Sequence, residues 1–397
     1  MDEIKVAVIG DREGVAIANR AIKYPQLVGA SYVYSNEMIR SVGSDFLDGW
    51  DIIVTAFSNI NLGICIENII KQYRAGSAVI LDFFKLRQVS RPLVVADTAM
   101  SNPYYDFYDG IVLGISHAEV GILPERLGLG KVVNLAVSSQ DLYYNYVTLE
   151  YCFAKHYEKI KNVKSVVIDM YDYSYFNFDS SRSGKIMNFI GCGGYNKDKH
   201  NFDENKEYKG TDFEKLVSTI EDYWKLGYDG EALEIWNMLF YTDLSKLYDD
   251  RYMNVNNISQ RVTIVSDEQI EKFTLGRYTQ QEFENTIAEN KEYFVKIMEL
   301  IYRINPDMKI YLTLLPRYEG VWAKEEILFS KWKEIFYEII DGYKAKYKYE
   351  MFDYTRNDIG KHRELYFDDS HFNFFGAMKF TDMLKGDIAK CIQDQYL

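Results

Sequence analysis

Over the first hundred or so residues, runs of aliphatic and β-branched side chains alternate with stretches whose apolar positions recur every three to four residues. The runs predict strands over 4–10, 27–35, 51–57 and 77–84, and the intervening stretches predict helices over 14–23 and 60–74. Continuous rather than alternating apolar strands are those of a parallel sheet covered on both faces. A second series begins near residue 109, with strands over 111–115, 132–137 and 163–170, a helix opening near 118 and a long one over 140–161. Strand character returns over 308–315, a helix follows over 327–343, and the chain closes with a strand-like run at 366–369 and a helix over 376–392.

The fold class expected is therefore α/β, in two parts. Residues 1–105 read as a small Rossmann-like domain and 106–397 as a second domain built on another doubly wound sheet. Residues 191–213, rich in Gly, Asn, Lys and Asp, read as an exposed loop. Helical spacing then runs to about residue 303, with Leu233, Ile235, Met238 and Leu239 as one stripe, so a mainly helical insertion is expected at about 191–303, packed on the sheet.

Charge narrows the partners. A net charge of −13 opposes binding to a polyphosphate backbone, so nucleic acid is not an expected partner. The start of the chain lacks the basic and apolar regions of a secretory signal, and no apolar run approaches the roughly 18 residues of a membrane span. Cys65, Cys152, Cys192 and Cys391 lie far apart with no Cys-x-x-Cys pair, which signals neither a disulfide framework nor a metal site and fits a reducing cytoplasm. Gly10-Asp11-Arg12-Glu13-Gly14 sits where a Rossmann loop would but lacks the G-x-G-x-x-G spacing, so a dinucleotide is not expected, nor any other cofactor. The expected ligand is a small molecule or glycan; oligomeric state is not readable.

Candidate chemistry lies at two places. The strand from Gly110 delivers Ser116 into a turn where a helix can start, and helix N-terminal amides favour developing negative charge. An N-cap would use Ser there equally well. Near the other end, Asp368-Asp369-Ser370-His371 places an Asp three residues before a His, close enough to hold the imidazole in one tautomer so that its other nitrogen faces a nucleophile. Of the remaining histidines, His117 adjoins Ser116, His156 lies in a predicted helix, and His200 and His362 sit in polar surroundings.

Together these places resemble the SGNH, or GDSL-like, hydrolase superfamily over about residues 109–185 and 306–395. Gly114-Ile115-Ser116-His117-Ala118 keeps the Gly and Ser of the Gly-Asp-Ser block, with Ile115 where Asp is usual, and looks like the Gly-Asp-Ser-His-Ala form of domains linked to glycan O-acylation. The resemblance implies a flavodoxin-type three-layer αβα fold for 106–397 and a catalytic Ser116, His371 and Asp368. It also implies an oxyanion-hole residue at Ser139, whose amide can still donate, the loss of the family's glycine being tolerable if the turn is not left-handed, and another at Tyr171, where the family has Asn. Asn177 is a nearby alternative donor, and Asp169 and Asp172 read as strand-end or capping residues. The implied activity is that of a serine esterase or O-acyltransferase acting on an acyl ester of a carbohydrate or cell-envelope polymer precursor. The competing expectations are a non-catalytic glycan- or partner-binding protein that keeps the fold, and a nucleotide-sugar enzyme using the first domain.

Overall fold

The computed structural model describes residues 4–33, 49–57, 66, 69–70, 78–83, 92–100, 105–182, 189, 200, 235, 238–239, 263–272, 281–322 and 326–394. The expected helix over 60–74 and loop over 191–213 lie mostly outside them, as do Leu233, Cys65 and Cys192. The chain divides into two compact units, residues 1–89 with 218–259, and residues 90–217 with 260–397.

In the first unit, β1 (Val6–Gly10), β2 (Val28–Val33), β3 (Ile52–Ala56) and β4 (Val79–Asp82) form a parallel sheet in the order β2-β1-β3-β4, with α1 (Arg12–Ala21) after the first strand. Strand alternation splits the central residues between two apolar layers. Val6 and Val8 pack with Val15, Ala18 and Ile22, whereas Ala7 and Ile9 pack with Phe57, Ile66 and Ile70. Leu239 is buried in the first of these layers and its carbonyl accepts from the Lys23 amide at 2.7 Å. Ile235, Met238 and Leu239, read from the sequence as part of an insertion in the second domain, thus belong to the first unit; their stripe is apolar in the way the sequence shows, but spacing alone does not say which sheet it covers. Gly10 and Gly14 let the α1 start press on β3: a Cβ at either would lie 1.8 or 1.9 Å from the Ala56 carbonyl oxygen. The Asp11 carboxylate caps that helix by accepting from the Gly14 amide at 2.7 Å.

The second unit opens with α2 (Pro92–Met100) and continues through β5 (Gly110–Leu113), α3 (Ser116–Gly121), β6 (Val132–Asn134), α4 (Leu142–Lys155), β7 (Ser165–Asp169), α5 (Glu284–Ile304), β8 (Lys309–Leu314), α6 (Glu326–Tyr343), β9 (Glu350–Asp353) and α7 (Phe374–Asp394). Its parallel strands run in the order β6-β5-β7-β8-β9, which places the topological switch point at the carboxyl ends of β5 and β7. Ile111, Leu113, Val166, Ile168, Ile310 and Leu312 face one layer, containing α4, α5 and α6. Val112, Val167 and Tyr311 face the other, where Ala118 of α3 and Ala377, Phe380 and Leu384 of α7 cover them. Neither α2 nor β9 was legible in the sequence pattern. β9 is a four-residue edge strand, exposed at Glu350 and Asp353, so it lacks the continuous apolar run that marks the inner strands.

Two glycines separate packing from propensity. Gly10→Ala is expected to lower stability by about 3 kcal/mol or more, because backbone must move to admit the methyl group. Gly342→Ala, in α6 with open space around its Cβ position, is expected to raise it by about 0.5 kcal/mol. Urea unfolding of both variants checks the pair.

Candidate active site

The turn after β5 is held from both sides of the sheet. Gly114 adopts φ +145, and a Cβ there would lie 2.6 Å from the Asp169 Cβ, so only glycine fits the crossing. The Gly114 amide donates to Asn145 Oδ1 at 2.8 Å, and Asn145 is itself fixed in the buried layer by donating to the Asp141 carbonyl at 2.8 Å. Ile115 buries its side chain in the core beneath the same layer, which accounts for an apolar residue where the Gly-Asp-Ser block has a carboxylate. A carboxylate reaches the turn from β7 instead. Asp169 Oδ2 accepts from the Ala118 amide at 3.1 Å, its Oδ1 accepts from the Tyr171 amide at 2.9 Å, and the Ile115 amide also hydrogen-bonds to it. Burial pushes this carboxyl up to about 7 despite those amides and the nearby Arg317 charge. Asp169 is a capping group, as the sequence suggests, but what it caps is the Ser116 turn 53 positions earlier, a relation that only the pairing of β5 with β7 creates.

Ser116 is the first residue of α3, and its hydroxyl lies 2.7 Å from His371 Nε2, across 255 positions of sequence. The hydroxyl is thus directed to an imidazole, not spent on capping. His371 Nδ1 lies 2.8 and 3.0 Å from the two oxygens of Asp368, whose Oδ1 also accepts from the amides of Ser370 at 2.9 Å and His371 at 2.7 Å. The carboxylate therefore folds its own loop and orients the ring in one stroke. Burial alone would lower the His371 pKa, but the Asp368 charge and hydrogen bond outweigh it and raise the pKa above the ordinary value. Reciprocally, burial would raise Asp368, yet the His371 charge and hydrogen bonds hold it below the usual carboxylate range. Both Ser116 and His371 remain partly exposed, so a substrate can reach them.

The two expected oxyanion residues share an unusual backbone. Ser139 has φ +65 and Tyr171 φ +60. The condition under which Ser139 replaces glycine without penalty is not met: its turn is left-handed. That turn is closed by the Gln140 amide on the Val137 carbonyl at 3.0 Å and by the Ser180 hydroxyl on the Ser139 carbonyl at 2.8 Å. Tyr171 directs its amide to Asp169, and its ring stacks on His117 with centroids 5.1 Å apart. Arg317, from the segment after β8, lies over the Tyr171 ring with its guanidinium carbon 5.0 Å from the ring centroid and pairs with Asp172 at 2.6 Å, both side chains being almost wholly buried. Asn177 is used structurally, donating to the Gln281 carbonyl at 3.1 Å and accepting from the Phe283 amide at 2.7 Å. His117, with its ring 4.8 Å from that of His371, is the neighbour the sequence analysis set aside; its adjacency to Ser116 gave no sign that it meets the other histidine. Among the described residues, no group of three or more His, Cys, Asp or Glu could hold a metal ion.

Two substitutions test this account of the turns. Ser139→Gly is expected to stabilise the protein by about 1 kcal/mol, the cost of holding an L side chain left-handed, measured by urea unfolding. Asp169→Asn removes an acceptor from buried amides and is expected to destabilise by about 2 kcal/mol. Because burial pushes the folded carboxyl up to about 7, above the ordinary carboxylate range, the folded state holds a proton that the unfolded state has released in between. The wild-type advantage over Asp169→Asn should therefore shrink as pH rises from about 4 to about 7 and then level off, read from unfolding midpoints across that range.

No protein-family model matches the chain, and no curated protein matches it. Among solved structures, it is similar to one described as "The structure of a putative platelet activating factor from Streptococcus pneumonia", at 11% identity over 82% of this chain and 99% of that chain, with a TM-score of 0.35. A likeness that weak carries no argument about this chain.

Proposed function

We infer that the second unit is a serine esterase or O-acyltransferase of the SGNH type, with Ser116 as nucleophile, His371 as general base and Asp368 as the group that orients it. The observation that carries this reading is the unbroken chain of contacts from Ser116 Oγ to His371 Nε2 at 2.7 Å and from His371 Nδ1 to Asp368 at 2.8 Å. With Nδ1–H donating to the carboxylate, Nε2 is left as the acceptor that faces the hydroxyl. It takes the Ser116 proton as Oγ attacks an ester carbonyl, and returns it to the departing alcohol. Water or a sugar hydroxyl then resolves the acyl-enzyme, giving hydrolysis or transfer with the same three side chains.

The developing oxyanion needs donors close to Ser116. The amide of Ser116 at the α3 start and that of Ser139 are the candidates, while Asp169 secures the flanking amides of Ile115 and Ala118. The substrate class, an acyl ester of a carbohydrate or envelope polymer precursor, rests on the likeness of Gly114-Ile115-Ser116-His117-Ala118 to the glycan O-acylation branch. The rival reading, a binding protein that keeps the fold, draws its support from Tyr171 at a position where the family has an amide side chain.

A fluorophosphonate probe separates the two. Labelling is expected in the wild type, abolished in Ser116→Ala and His371→Ala, and slowed roughly ten-thousand-fold in Asp368→Asn, which holds the ring in the wrong tautomer. Only neutral imidazole acts as base, so labelling should rise with pH through a midpoint above that of an ordinary histidine, as the Asp368 charge requires. A wild-type protein that stays unlabelled, or labelling indifferent to Ser116 and His371, would leave the binding reading in its place.

A further inference from the structure

Four side chains and a guanidinium form a continuous column through the site. Phe367 stacks on His371 with centroids 5.6 Å apart and planes 17° from parallel. His371 also meets His117 at 4.8 Å, His117 stacks on Tyr171 at 5.1 Å and 25°, and the Arg317 guanidinium lies 5.0 Å from the Tyr171 ring centre. Asp172 anchors the end of the column by accepting from Arg317 at 2.6 Å, with side chains only 4% and 2% exposed. The members come from four separate places in the chain: the start of α3, the end of β7, the segment after β8 and the loop before α7.

On the reading that Ser116 and His371 perform acyl transfer, we propose that Tyr171 is a positioning residue and not an oxyanion donor, its ring bracing His117 against the flank of His371 so that Nε2 stays aimed at Ser116. Three observations bear on this. The Tyr171 amide is committed to Asp169, so the backbone cannot serve the oxyanion. The ring stacks on an aromatic neighbour and also has a cation over it, contacts made by its face. The backbone at Tyr171 is left-handed, which costs stability in an L residue, and the side chain it carries makes the ring contacts of this column. Asp368 fixes His371 only at Nδ1, in the plane of the imidazole. Hydrogen bonds at Nδ1 and Nε2 leave the ring free to rock about the line joining them, and ring contacts with His117 and Phe367 oppose the motion. The charged or titratable groups acting on His371 are then Asp368, Asp369 and Arg317, with His117 in ring contact.

The test compares Tyr171→Phe, which keeps the face and deletes the hydroxyl, with Tyr171→Leu and Tyr171→Ala, which delete the face. Fluorophosphonate labelling should be unchanged in Tyr171→Phe and fall about 100-fold in the other two, the scale of a small misplacement of a reacting group. Thermal unfolding identifies which variants fold, and Tyr171→Leu, which keeps most of the volume, stands in if Tyr171→Ala does not. A fall of about 100-fold in Tyr171→Phe would overturn the proposal, since that is the cost of deleting an oxyanion donor. A second readout needs no reactivity: NMR of the His371 ring protons, displaced by ring currents from His117 and Phe367, should match wild type in Tyr171→Phe and shift in Tyr171→Leu. An unshifted His371 signal in Tyr171→Leu would overturn the column even if the wild type labels, whereas a wild type that does not label at all tells against the acyl-transfer reading and leaves the NMR comparison to decide the bracing.

Discussion

The Asp169 carboxylate joins two strands that the sequence keeps far apart, and the geometry of the candidate site follows from it. It sits at the end of β7, buried against a turn that follows β5, and gathers the amides of Ala118, Tyr171 and Ile115 around one carboxyl group. Because β5 and β7 are parallel neighbours, their carboxyl ends coincide, and a side chain on one can serve the backbone of the other. Gly114 is the complement of this arrangement, since a methyl group there would strike Asp169. With the turn clamped by Asp169 on one face of the sheet and by Asn145 on the other, Ser116 leaves it in one direction. The same carboxylate sets the Tyr171 backbone, and with it the ring that meets His117.

This division of labour explains why an apolar Ile115 is compatible with an ordered Ser116 turn. The position contributes its side chain to the core and its amide to Asp169, so order comes from a buried layer and a carboxylate on the adjacent strand. The arrangement has a cost in the burial of a group that would otherwise be charged, and the raised Asp169 pKa is its expression. His371 is held by different means. Asp368 supplies both the loop's hydrogen bonds and the ring's, so the catalytic candidate and its support lie within four residues and need only the start of α7 to place them.

The parts of this structure legible in the sequence are those governed by local pattern. Inner strands such as Ile52–Ala56 and Ser165–Asp169 announce themselves as apolar runs because both faces are covered. Asp368 and His371 are three positions apart, and Ser116 stands at a strand-to-helix turn, so each could be named before any geometry was known. What stayed hidden depends on pairing. β9 is a half-exposed edge of only four residues with a charged residue at each end, and nothing local marks it as a strand. The stripe at Ile235, Met238 and Leu239 shows an apolar face without showing which sheet it covers. Asp169 reads as a strand end, and only strand neighbours reveal that it serves Ser116. Ser139 could be matched to a glycine position, but its left-handed backbone is set by Ser180, 41 positions away.

The central claim, that Ser116 is a nucleophile activated by His371, is tested most directly by locating the covalent bond. After exposure to a fluorophosphonate and proteolysis, peptide mass spectrometry should find the phosphonyl group on Ser116 and on no other hydroxyl, and the modified peptide should vanish when His371 is replaced by alanine. An adduct on a different residue, or a Ser116 adduct that forms equally well without the imidazole, would contradict the account.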